Sequence, residues 1–151
     1  MKTIKVKPVE ITGECRANLA LEDEFQIRGV MLENPRQSRL CLMALSHLPP
    51  IVVQLQRETR CFTHVTCPDC LGRLESENRV VFLLGHADTW ELCQAMSAYE
   101  RLCGECEEPE FARQLKEKAL WHQNQGEYSQ ALHKMTAALE ALKQAILEEE
   151  V

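Results

Sequence analysis

The apolar residues of this chain change their spacing once, near Asp88. Before that point they recur every second residue or in short runs. Ile4, Val6 and Val9 alternate with Lys5, Lys7 and Glu10. Phe25-Gln26-Ile27-Arg28-Gly29 repeats the pattern briefly, and Val80-Val81-Phe82-Leu83-Leu84 forms an unbroken run closed by Gly85. After Asp88 the spacing is three and four: Trp90, Leu92, Cys93, Met96, Tyr99 and Leu102, then Phe111, Leu115, Ala119 and Leu120. The last stretch, from Tyr128 through Ala131, Leu132, Met135, Ala138, Leu139, Leu142 and Ala145 to Ile146, has a wide apolar face. Period two reads as strand and period 3.6 as helix. One switch between them predicts an α+β chain: a small mixed unit over residues 1–86, then a helical hairpin or bundle over 87–151.

Local punctuation refines this. Pro8 inside the first strand predicts an edge or a bulge. Thr12-Gly13 is a turn and Asn34-Pro35 a loop. Ser38 is placed to cap a helix through Leu40, Leu42, Met43, Ala44 and Leu45. Pro49-Pro50 interrupts that helix, and Ile51 to Leu55 resumes it or extends as a strand. Leu71 to Asn78 is polar and turn-like. Asp88 or Thr89 caps the first helix of the second part, Pro109 opens the next, and Gly126 breaks it from the last.

Charge divides at the same place. Residues 1–86 hold 11 Lys and Arg against 10 Asp and Glu, a net of +1; residues 87–151 hold 6 against 13, a net of −7. Neither part is basic enough to track a phosphate backbone, which argues against nucleic acid. The N-terminus MKTIKVKPVEI has no apolar core of a signal peptide. The longest apolar stretch, Leu40 to Leu55, is broken by Ser46, His47 and the prolines, so no membrane span is expected. The expected compartment is the cytoplasm, where eight cysteines serve as thiols or ligands rather than disulfides.

Four soft ligands stand three apart in Cys61-x-x-His64-x-x-Cys67-x-x-Cys70. A second knuckle, Cys103-Gly-Glu-Cys106, follows later. Two Cys-x-x-Cys pairs suit tetrahedral zinc, and a set of Cys67, Cys70, Cys103 and Cys106 would staple the two parts together. Their separation of 32 residues exceeds the usual 15–20. The run 61–70 also shares the spacing of ferredoxin ligands, with His64 in place of one cysteine. A redox dithiol at Cys67 and Cys70 needs a helix start to lower the thiolate pKa, and Leu71-Gly72-Arg73 does not offer one. Cys93, between Leu92 and Met96, reads as a buried hydrophobe, Cys41 beside Leu40 and Leu42 reads as core or ligand, and Cys61 as a bystander. His86, at a strand end, reads as a surface-loop residue, with a ligand as the alternative. His47 reads as a helix-end residue, and His122 and His133 as solvated. There is no phosphate loop, no HExxH and no Ser-His-Asp order, so the sequence identifies no catalytic residue.

Two resemblances add to this. The pieces Val6 with Gly13-x-Cys15, Asp23-Glu24-Phe25, Cys41-Leu42-x-Ala44-Leu45, Pro50-Ile51 with Leu55, Thr63-His64-x-x-Cys67-Pro68-Asp69 and Arg79-Val80-Val81-Phe82 occur in this order. Together they resemble an uncharacterised family of small Cys-containing proteins of anaerobic bacteria and archaea, over about the first 85 residues. Glu22 stands where that family usually has a glycine, and Cys70 to Asn78 resembles an insertion. The resemblance implies that Cys15, Cys41, Cys67 and His64 form one set, for zinc or, with an open corner, for an iron–sulfur cluster. Gly126-Glu127-Tyr128-x-x-Ala131-Leu132 with Ala138-Leu139-Glu140 and Ala119 resembles a single tetratricopeptide unit. Leu115 and His122 stand where larger aromatics are common. One such unit cannot bury its own face. The expectation is therefore a metal-stabilised, non-enzymatic protein that binds a protein partner, or itself as a homodimer, through its C-terminal helices. The alternative is a small redox or iron–sulfur protein of anaerobic metabolism.

Overall fold

The computed structural model describes residues 2–58, 60–67, 78–104 and 106–149. The fold is α+β, and the chain divides into two compact units, Met1–Trp90 and Glu91–Val151.

In the first unit, β1 (Thr3–Thr12), β2 (Phe25–Arg28), β3 (Met31–Glu33), β4 (Phe62–Thr66) and β5 (Arg79–His86) make one antiparallel sheet in the order β3-β2-β1-β5-β4. β1 is an internal strand, so Pro8 is not at an edge. Instead the register against β5 slips between Pro8 and Glu10, a bulge that accommodates the missing N–H. Gly13 turns the chain out of β1 with φ +69°, and a Cβ there would meet Asn78 Oδ1 at 2.1 Å. That oxygen accepts from Glu14 N–H at 2.8 Å and ties the end of β1 to the start of β5.

Helix α1 (Leu42–Arg57) lies on one face of the sheet. Its buried residues Ala44, Leu48, Val52 and Leu55 recur at spacings of four, four and three and pack with Ile4, Val6, Val80, Phe82 and Leu84. Two expectations are corrected here. Cys41, not Ser38, caps the helix, and its sulfur accepts from Ala44 N–H at 3.5 Å. Ser38 Oγ instead accepts from Glu24 N–H at 3.0 Å. And α1 runs unbroken through Pro49 and Pro50. Both prolines sit on the exposed face, where water can take the carbonyls of the preceding turn that lose their N–H donors. His47 accordingly lies inside the helix rather than at its end. Burial of one leucine contributes roughly 1.5–3 kcal/mol, and the apolar stripe outweighs the loss at two exposed prolines of ~3 kcal/mol each.

β5 is buried on both faces from Val80 to His86, which explains its unbroken apolar run. His86 is not a surface residue. It is 5% exposed, and its Nε2–H donates to Leu55 O at 3.1 Å, because a carbonyl only accepts.

A 3-10 turn (Ala87–Thr89) at the end of the first unit leads into α2 (Trp90–Cys103), which continues into the second. α3 (Glu110–Asn124) and α4 (Tyr128–Glu149) form a hairpin. Gly126, at φ +76°, makes the turn between them, and Glu127 pairs with His122 across it. Small residues line the seam: Ala112 and Ala119 face Ala131, Met135, Ala138 and Leu142, and Leu92 and Tyr99 of α2 close the cluster. No helix among the described residues is long and apolar enough to cross a membrane.

Candidate metal centre

Among the described residues, the cysteines predicted as ligands fall into two places, one in each unit. In the first, Cys67 follows β4, and its N–H donates to Val80 O at 2.9 Å, so it remains in the ladder with β5. Strand alternation puts Val65 and Cys67 on the face that α1 covers. Cys67 is 2% exposed there, and Cys41 at the helix N-cap packs against the same apolar cluster. Burial pushes the Cys41 thiol above its ordinary pKa and the neighbouring Cys67 adds to this, while the Ala44 N–H pulls the other way. Cys15 packs against the same apolar cluster. Thus Cys15, Cys41 and Cys67, distant in sequence, share one core.

His64 is turned away from them. It is an even position on β4, opposite Leu83 and on the other face from Cys67. Its ring meets that of Phe62 edge-on at 5.6 Å. The backbone around it borders a shallow cavity of about 240 Å³ with Ile51, Gln54, Leu55, Glu58 and Arg60. Among the described residues that cavity has no thiol in its walls, so an open metal position beside His64 has no cysteine to complete it.

In the second unit, Cys103 ends α2, and Cys106 Sγ donates to Leu102 O at 3.5 Å. Cys103 Sγ lies 3.9 Å from Glu108 Oε1. The same carboxylate oxygen accepts from Tyr99 Oη–H at 2.8 Å and from the Lys116 ammonium. Lys116 also stands over the Tyr99 ring, 5.2 Å from its centre. The Lys116 hydrogen bond holds the Glu108 carboxyl below its ordinary range. Burial, then the Glu108 carboxylate, push the Cys103 thiol up, and burial with the same carboxylate pushes the Tyr99 phenol up. Cys103 of the knuckle is therefore part of one polar network with Tyr99, Glu108 and Lys116. The sequence reading missed Tyr99, Glu108 and Lys116. The signal was a tyrosine four residues before Cys103, on the same helix face.

Cys70 lies outside the described residues, as do residues 71–77 of the predicted turn. Cys67 belongs to one unit and Cys103 with Cys106 to the other. Among the described residues, no three His, Cys, Asp or Glu side chains converge as a metal ion requires. What the structure brings together is Cys41 and Cys67 in the core of one unit, and Cys103 and Cys106 against the core of the other. Cys61 and Cys93 are buried, at 5% and 0% exposure. No family model, curated protein or solved structure matches the chain.

Proposed function

We propose that the protein acts by binding another protein, or a second copy of itself, through its C-terminal helices, and that cysteine-held zinc stabilises it. The carrying observation is the placement of its aromatic residues. The chain has only eight, and three of them, Phe111, Trp121 and Tyr128, are at least half exposed on one helical hairpin whose own seam is mostly alanine. Phe111, Gln114, Lys118 and Trp121, at spacings of three, four and three, line an outward stripe of α3. Large exposed aromatics supply most of the energy of protein interfaces and cost a free surface its solubility. The zinc part draws support from Cys15, Cys41 and Cys67, soft donors distant in sequence that share one apolar core.

Site-specific photocrosslinking in cells tests the binding part. A photoreactive residue at position 111 or 121 should give discrete protein adducts, and one at position 143 on α4 should not. Absence of adducts from 111 and 121 overturns the reading. Metal analysis with a visible spectrum on protein purified without oxygen tests the other part. About one zinc per chain and no colour is the expected result. Iron with sulfide and absorption near ~400 nm would move the protein to redox chemistry.

A further inference from the structure

The two ends of the exposed stripe on α3 differ in charge. At the Phe111 end, a cavity of about 610 Å³ opens between the first turn of α3 and the last turn of α4. Its charged walls are Glu107, Glu108, Glu110, Glu148 and Glu149, against Arg113 alone. Lys116 holds Glu108, and Arg113 holds Glu110. Among the described residues no cation pairs with Glu107, Glu148 or Glu149, and all three are exposed. Apolar surface stands beside them: Phe111 follows Glu110 in the first turn of α3, Leu147 precedes Glu148 in α4, and both are exposed. The cation of the stripe, Lys118, lies at the other end, near Trp121.

We propose that the occupant of this face is a basic segment of another protein, whose apolar side chains cover Phe111 and Trp121 and whose lysine or arginine side chains enter the acidic cavity. The inference rests on the binding reading above and names the class of partner. Charge complementarity selects it. Three carboxylates without a counter-charge flank an apolar contact, and residues 87–151 as a whole carry a net of −7, the sign that steers a cation inward. A second copy would bring an equal negative surplus against the first, and like charges across an interface oppose association. The cavity falls in the range of ligand clefts, ~300–1,000 Å³. A long basic side chain can lay its methylene stem along Phe111 while its charge reaches the carboxylates. Because Lys118 repels cations at the far end, the basic residues of the segment belong at the Phe111 end.

The test uses the full chain, with a displayed library of random peptides as the probe and fluorescence anisotropy to measure the peptides it selects. Selected peptides should carry lysine or arginine next to apolar residues. The triple variant Glu107→Gln, Glu148→Gln, Glu149→Gln should weaken their binding by roughly tenfold. Glu91→Gln, Glu117→Gln, Glu140→Gln removes the same charge from positions that do not line the cavity. It should change binding by no more than about twofold, because solvent screens exposed charges at a distance. The proposal is overturned if the selected peptides are neutral or acidic, if both triple variants weaken binding equally, or if no peptide is selected. The wild-type selection decides even if a variant folds poorly. Two outcomes separate this proposal from the reading beneath it. Apolar, uncharged peptides that lose binding in Trp121→Ser would sink the basic partner and leave the binding face standing. So would self-association in sedimentation that Trp121→Ser abolishes. Peptides of any charge that bind without regard to Phe111 and Trp121 would sink both.

Discussion

The two units make their cores from opposite materials. In the sheet unit, large side chains such as Phe82, Leu84, Ile4 and Leu48 point inward from strands and helix, and the thiols of Cys41 and Cys67 lie among them. In the helical unit, alanines line much of the hairpin seam, Tyr99 of α2 is buried against it, and Phe111, Trp121 and Tyr128 are exposed. A sheet and a helix pack about 10 Å apart and need long side chains to fill the gap. Two helices joined by a three-residue turn can approach closely when the seam is alanine. The difference teaches where function can reside. A sheet core that consumes its large residues leaves chemistry to what is buried with them. A hairpin that needs only small ones can spend its aromatics on a partner.

The largest expected effect tests the first half of that contrast. Phe82→Ala should destabilise the protein by about 3–5 kcal/mol, measured by urea unfolding, because it removes a 2% exposed ring from the centre of β5. A loss below ~1 kcal/mol would mean that the sheet core does not depend on large side chains. The matching test in the hairpin goes the other way. Ala119→Leu adds volume to the seam and should cost about 1–3 kcal/mol. If it proved neutral, the helices would not be close-packed along alanine, and the contrast would fail on that side.

Much of this division was legible in the sequence, because side-chain period follows directly from backbone geometry. The alternation Ile4, Val6 and the run Val80–Leu84 announced β1 and β5, and Tyr128 to Ile146 announced α4. β3 was not legible. It has three residues, too few to show a period, and is defined by pairing with β2 across a Gly29-Val30 turn with Gly29 at φ +62°. The continuous α1 was missed because local proline chemistry was weighed without tertiary packing, which holds Leu48 and Val52 on either side of the two prolines. The candidate site was less legible. Spacing singled out Cys67 and the Cys103–Cys106 knuckle, but the shared core of Cys67 and Cys41 comes from topology, which packs the end of β4 and the start of α1 against one apolar cluster. His64 shows the converse. Its spacing from Cys67 suits a ligand pair in a loop, but in a strand three residues is an odd number and sends the two side chains to opposite faces.

A smaller effect sharpens the account of the second unit. Glu108 joins Tyr99, Lys116 and Cys103 at one carboxylate. Glu108→Gln should lower stability by about 1 kcal/mol at neutral pH, discounted from a buried charged hydrogen bond because the side chain is partly exposed. The pH dependence has a definite sign. The folded carboxyl titrates below its ordinary value, so the unfolded chain binds the proton more tightly. The stabilisation is present above the ordinary carboxylate pKa of about 4.3 and is lost as pH falls through the lower folded value. Melting temperatures of the two proteins should therefore differ at pH 7 and converge at acid pH. A difference that persists at acid pH would assign the loss to packing rather than charge.

The smallest expected effect on stability carries the most functional weight. Trp121 is 58% exposed on α3, outside the alanine seam, so Trp121→Ser should change stability by no more than about 0.5 kcal/mol. Its ring lies edge-on to His122 at 4.9 Å, a contact with a side chain that Glu127 also holds, so the helix end should survive its loss. The same substitution should abolish the protein adducts formed from position 111, because both positions lie on one outward stripe. If stability falls instead by several kcal/mol, the ring serves the fold, and the hairpin would then resemble the sheet unit in spending its large residues on itself. If stability and adducts are both unchanged, Trp121 lies outside the contact and the binding face must be sought nearer Phe111.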